Sequence, residues 1–182
     1  MWLLELIDVL LLKQALNGFG VWPRQPDGLW GILFMPLLHG GFGHLAANTV
    51  PFMVLGGLVL WRSARHFLIV TIVTTLLTGL LLWLFGSSRA VYIGASGLVF
   101  GYFGFLVFRG YFERSPQSLL VALLVVVLYG GLLFGLVPQG NGISWEAHVL
   151  GFLSGALCAR LLSPASLADG PPLVIVTVDE DD

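Results

Sequence analysis

An all-α membrane protein built as a six-transmembrane-helix bundle is the fold class this sequence predicts, and three observations predict it. Of the 182 residues, 57% are hydrophobic and only 10% are charged, and the mean hydropathy is +0.94. A soluble domain of this size could not cover so much apolar surface with so few charges. Apolar windows recur along the chain that reach the roughly 18 residues needed to span a bilayer. Lys and Arg fall between those windows, apart from Arg160 near the end of the last and Lys13 in the first apolar segment.

The elements follow in order. Residues 1–20 form an apolar segment interrupted by Glu5, Asp8 and Lys13, and read as a spanning helix packed against the bundle. The chain opens on Trp2, Leu3 and Leu4 with no basic stretch before them, so a cleavable secretory signal is not expected. Pro23, Pro26, Asp27 and Gly28 mark a loop. Leu29–Leu38 is apolar but too short to span and reads as a membrane-dipping loop. The spanning windows are Gly43–Trp61, Phe67–Phe85, Ala90–Phe108, Leu119–Val137 and Trp145–Leu162. Each must be helical, because lipid offers exposed backbone groups no partner. Residues 1–162 therefore form one domain. Residues 163–182, with Pro164, Pro171, Pro172 and the acidic end Asp179–Asp182, read as a flexible cytoplasmic tail.

Charge sets the orientation. Arg62, Arg65, Arg109, Arg114 and Arg160 fall on one side of the bundle, and Arg24 and Arg89 on the other. The richer side is expected to be cytoplasmic, which puts both termini there, in a bacterial-type cytoplasmic membrane. Trp22, Trp30, Trp61, Trp83 and Trp145 lie at the window ends, as belt residues do. His66, beside Arg65, reads as interfacial. A net charge of −2 gives no basic field for nucleic acid. The single cysteine, Cys158, can make neither an intrachain disulfide nor a metal cluster and reads as a small core residue.

Polar groups deep in a membrane protein are costly and ask for a reason. Three clusters stand out. Gly94-Ala95-Ser96-Gly97 places a serine between glycines where a loop enters a helix. The Ser96 N–H would be one of the unpaired donors of a helix start, able to hold an oxyanion. Gly97 and Gly101 also read as a helix-packing face. Ala147-His148 is followed by Gly151 and Gly155, which let a helix lie close to its neighbour and bring the imidazole against it. An alcohol is a poor nucleophile until a base within hydrogen-bond reach takes its proton, and this pairing supplies both. His39-Gly40-Gly41-Phe42-Gly43-His44, followed by Asn48, puts His44 and Asn48 on one helix face, where both could donate to one oxygen. A metal site from His39, His44 and His148 would lack a carboxylate or thiolate partner, so neither metal nor cofactor is expected.

Together the clusters resemble the rhomboid family of intramembrane serine proteases over about residues 17–162. The resemblance implies a six-helix bundle around a water-filled cavity open to the non-cytoplasmic face. It implies Ser96 as nucleophile, His148 as base, and the Ser96 N–H, His44 and Asn48 as oxyanion donors. Gly94 and Gly97 would shape the active-site loop, with His39, Phe100, Gly151 and Gly155 in support. The substrates implied are transmembrane or juxtamembrane segments of other membrane proteins; the sequence is silent on oligomeric state. Phe100 stands where many rhomboids carry tyrosine one turn after the nucleophile. The loop Val21–Leu38 is short beside that of some bacterial members. Glu146 points elsewhere on its helix than His148, so a dyad is expected rather than a triad. The rival readings are a catalytically silent rhomboid-like protein that binds transmembrane helices, and a small transporter.

Overall fold

The computed structural model describes residues 1–138 and 144–163. Among them the chain is mostly helical, with α1 Trp2–Leu10, α2 Gly31–Phe34, α3 Phe42–Arg62, α4 Ala64–Phe85, α5 Ser96–Glu113, α6 Pro116–Tyr129 and α7 Trp145–Leu161. By length and composition, α3, α4 and the stretch Pro116–Leu136 are each able to cross a membrane. The acidic tail lies outside the described residues, Ser163 excepted.

Local chemistry sets the boundaries. Ser63 caps α4 by accepting from the His66 N–H at 3.2 Å, and Ser115 caps α6 by accepting from the Ser118 N–H at 3.2 Å; Pro116 sits at the first helical position, where its missing N–H costs nothing. Arg114 at φ +53° ends α5.

Helix α5 is the axle of the fold. Every residue from Gly97 to Leu106 is buried. Glycine is what allows this. A Cβ added at Gly151 would land on the Gly97 carbonyl, one at Gly155 on the Gly101 carbonyl, and one at Gly104 on the Phe152 carbonyl. Helices α5 and α7 therefore meet backbone to backbone, the close approach that small residues permit in membrane bundles. Around this seam Leu55, Val70, Val99, Tyr102, Phe103, Phe105 and Cys158 form the main core; Cys158 is 2% exposed, a core residue as expected.

The structure corrects three sequence-based boundaries. The segment read as a spanning helix over residues 1–20 is α-helical only over Trp2–Leu10, about 14 Å of helix against the ~30 Å of a bilayer core. Lys13 and Gln14 adopt left-handed φ values of +51° and +65°, and Asp8 turns inward to accept from the Leu16 N–H at 2.9 Å. The charges that interrupt the hydropathy thus end the helix. In the window Ala90–Phe108, residues 90–95 are not helical, and the helix runs from Ser96 on to Glu113. Tyr92 is instead paired with Val21 in an antiparallel bridge, and Gly94 has φ +108°. The window Leu119–Val137 holds α6 only to Tyr129, followed by a tight 3₁₀ turn over Gly130–Leu136.

One end of the bundle collects the loop 20–25 and the loop 86–95. The Arg24 N–H donates to the Trp83 carbonyl at 2.9 Å, and the Arg24 guanidinium to the Leu84 carbonyl at 3.0 Å. Arg62, Arg109 and Glu113 are joined at the other end. The arginines are thus segregated as the charge count anticipates.

Candidate active site

Ser96 opens α5. The loop before it is held from three directions. The Gly94 N–H donates to the Met35 carbonyl at 2.8 Å. Gly94 itself sits at positive φ, and a Cβ there would lie 2.8 Å from His44 Cε1, so both its backbone angle and its closeness to the ring require glycine. The Ala95 N–H donates to His39 Nε2 at 3.4 Å. Among the described residues no protein acceptor takes the Ser96 N–H, as the geometry of a helix start leaves it.

His39 is fully buried, with its ring edge-on to His44 at 5.2 Å between centroids. Burial, with a smaller push from the His44 ring, holds its pKa at about 4, so it stays neutral and serves as an acceptor. It braces the loop and does not line the cavity beyond. His44 does line that cavity. Its Nδ1 accepts from the Gly40 N–H at 3.3 Å, so in the neutral ring Nε2 carries the proton and is a donor. Asn48, one turn along α3, donates from Nδ2 to the His44 carbonyl at 2.9 Å.

His148 sits on α7, 6% exposed. Two contacts fix its ring. Phe100, one turn after Ser96, stacks on it with centroids 4.2 Å apart and planes 8° from parallel. Nδ1 lies 2.9 Å from the Gly135 carbonyl oxygen. A carbonyl only accepts, so Nδ1 bears the proton and Nε2 keeps its lone pair, the tautomer a general base needs. Glu146 takes no part in this, since its Oε1 accepts from the Tyr92 hydroxyl at 3.4 Å.

His44, Asn48, Ser96, Phe100, Gly135 and His148 all line one cavity of about 740 Å³, within the size range of ligand sites. Among the described residues no hydrogen bond joins the Ser96 hydroxyl to the His148 ring. Gly97, Gly151 and Gly155 lie outside the lining, in the α5–α7 seam.

Comparison with known proteins now bears on the chain directly. The family model described as Rhomboid domain matches residues 26–165. The chain belongs to the rhomboid family. An uncharacterized protein of Mycobacterium tuberculosis is 40% identical to this rhomboid over 171 residues, covering 90% of this chain and 71% of the relative. The Bacillus subtilis protein named "Putative rhomboid protease YdcA" is 26% identical, covering 85% and 77%. RHOMBOID-like protein 4 of Arabidopsis thaliana is 30% identical over 84% of this chain and 39% of its own length. With its apolar helices, this rhomboid is an integral membrane protein.

Two features of the site escaped sequence reasoning. One is the Gly135 carbonyl, which accepts from His148 Nδ1 and fixes its ring. Its signal was the glycines Gly130, Gly131 and Gly135 inside a run read as one unbroken helix. The other is Glu5, whose Oε1 accepts from the Gly41 N–H at 2.7 Å and ties α1 to the loop ahead of His44. Its signal was a charge in an apolar segment.

Proposed function

We propose that this rhomboid is an intramembrane serine endopeptidase that cleaves transmembrane or juxtamembrane segments through a Ser96–His148 dyad. The observation that carries this reading is the His148 ring, clamped by Phe100 and Gly135 in the tautomer of a base, in the cavity that Ser96 also lines. His148 Nε2 takes the Ser96 proton as Oγ attacks the scissile carbonyl. The tetrahedral oxyanion accepts from the Ser96 N–H, from His44 Nε2 and from the Asn48 amide. The imidazolium then protonates the leaving amine, and water hydrolyses the acyl-enzyme. Ser96 and His148 are brought into hydrogen bond as substrate fills the cavity; catalytic contacts commonly tighten in this way.

The proposed architecture is the six-helix rhomboid bundle over residues 1–162, with α1 in the first position as a short segment, the Ser96 end facing outward and both termini cytoplasmic. Residues 163–182 form its tail. The substrates are membrane proteins with helix-weakening, small residues at the cut.

A fluorophosphonate probe in detergent tests the reading. Labelling of the wild type and none of Ser96→Ala is expected; equal labelling of both would remove Ser96 from the role. The second reading, a silent helix-binding protein, draws on the absent Ser96–His148 hydrogen bond, and a wild type that stays unlabelled would favour it.

Two further outcomes follow from the roles. Asn48→Ala is expected to lower kcat by about 10²-fold while leaving activity measurable, because other oxyanion donors remain. Gly135→Ala places a methyl 2.9 Å from Phe100 Cζ and 3.1 Å from His148 Nδ1. The ring must shift, and a displacement near 1 Å costs about 10²-fold in rate. Single-turnover cleavage of a transmembrane substrate measures both.

A further inference from the structure

At the end of α5 opposite Ser96, about 25 Å away along the helix, a second polar site is built. Arg62 is paired with Glu113. Arg109 Nε donates to Glu113 Oε2 at 2.6 Å, and its Nη1 donates to His66 Nδ1 at 2.8 Å. Both Glu113 oxygens are thereby committed. Because arginine only donates, His66 Nδ1 must accept, and its Nε2 is left as a donor. Two guanidiniums meet one carboxylate, so the cluster holds a net positive charge, with Arg65 beside His66 in the first turn of α4.

This cluster forms one wall of a cleft of about 470 Å³ lined by Trp61, Arg62, Ser63, His66, Arg109 and Gln117. Every polar side chain in that lining carries a hydrogen-bond donor, and Trp61 is 75% exposed at its edge. Beside it a crevice of about 20 Å³ shares Trp61, Arg62, Arg109 and Gln117 and is floored by Leu58, Leu106 and Val121, room for about one water. Exposed apolar side chains flank the cleft instead, with Leu60 next to Trp61 and Leu120 one turn after Gln117. A donor-rich, positive cleft beside exposed apolar faces at the end of membrane-crossing helices matches an amphiphile with an anionic head.

We propose that this cleft is a binding site for one anionic phospholipid, with the phosphate held by Arg62, Arg109, Ser63 and Gln117 and the acyl chains along the exposed apolar faces of α3 and α6. Its place at the end of membrane-crossing helices is what favours a lipid over free phosphate. The site lies apart from the Ser96 cavity, and its occupancy does not depend on peptide hydrolysis.

Native mass spectrometry of the delipidated full chain, titrated with phosphatidylglycerol or phosphatidylcholine, tests it. One phosphatidylglycerol is expected to bind about fivefold more tightly than phosphatidylcholine, the preference that one arginine confers near an anionic headgroup. Gln117→Glu puts a carboxylate at the exposed rim without touching the Arg62–Glu113–Arg109 lattice, and is expected to erase the preference at unchanged Tm. Arg62→Gln is expected to erase the preference too, with a lower Tm because Glu113 loses an ion-pair partner. A preference that survives in both variants, or a bound lipid displaced by millimolar inorganic phosphate, overturns the assignment.

Discussion

Ser96→Ala is expected to abolish cleavage of a transmembrane substrate, with kcat falling by about 10⁶-fold, the scale set by loss of the nucleophile in serine proteases. Its physical basis is that the proposed acyl bond forms on the Ser96 hydroxyl. Among the described lining residues Ser144 is the other hydroxyl, and it stands at the N-cap of α7, on the same element as His148 rather than across from it on α5. His148→Ala should match this loss at any substrate concentration, because an unactivated alcohol does not attack an amide. The two together should lose no more than either alone, as members of one unit do. The folded state should be indifferent to Ser96→Ala, since its hydroxyl holds no hydrogen bond among the described residues. Substrate cleavage in liposomes, with Tm recorded alongside, reads both halves. Residual turnover within tenfold of wild type in Ser96→Ala would end the proposal.

The second large effect is on stability. Gly151→Val puts a branched side chain where even a Cβ would overlie the Gly97 carbonyl. Neither partner can yield, since both are helix backbone. Helices α5 and α7 must separate, at a cost on the order of 3 kcal/mol or more, the upper range for overpacking. Gly57→Ala is the matched control, because nothing lies within 4 Å of its Cβ position. It should be neutral or stabilising by up to about 1 kcal/mol, since alanine costs less chain entropy in a helix. Thermal unfolding in detergent compares them. Activity should fall with Gly151→Val as well, because the same seam holds Ser96 and His148 at one cavity. Equal Tm for the Gly151 and Gly57 variants would show that the seam is looser than the backbone contacts require.

A good part of the site could be read before any coordinates. Ser96, His44, Asn48 and His148 were each conspicuous as polar groups in apolar surroundings, where burial without purpose is costly. The glycines at 97, 101, 151 and 155 marked the faces that would close together. Phe100 was marked by the resemblance, standing one turn after the serine where many rhomboids carry tyrosine, and it lies flat on the imidazole. Boundaries were less legible. Hydropathy averages over a window and cannot distinguish a helix from an apolar loop, so residues 90–95 and 130–136 were absorbed into helices that start later or end sooner.

What the sequence by itself determined is the membrane-embedded helical class, the gathering of most arginines at one end, and which side chains are candidates for chemistry. Those are properties of side-chain identity and spacing, and they are written residue by residue. The tertiary structure decided that α1 stops after Leu10, that Glu5 ties it to Gly41, and that the Gly135 carbonyl sets the His148 tautomer. Every residue carries a carbonyl, so no residue type announces which one will face an imidazole. Only the folding of the Gly130–Leu136 turn against α7 makes that choice.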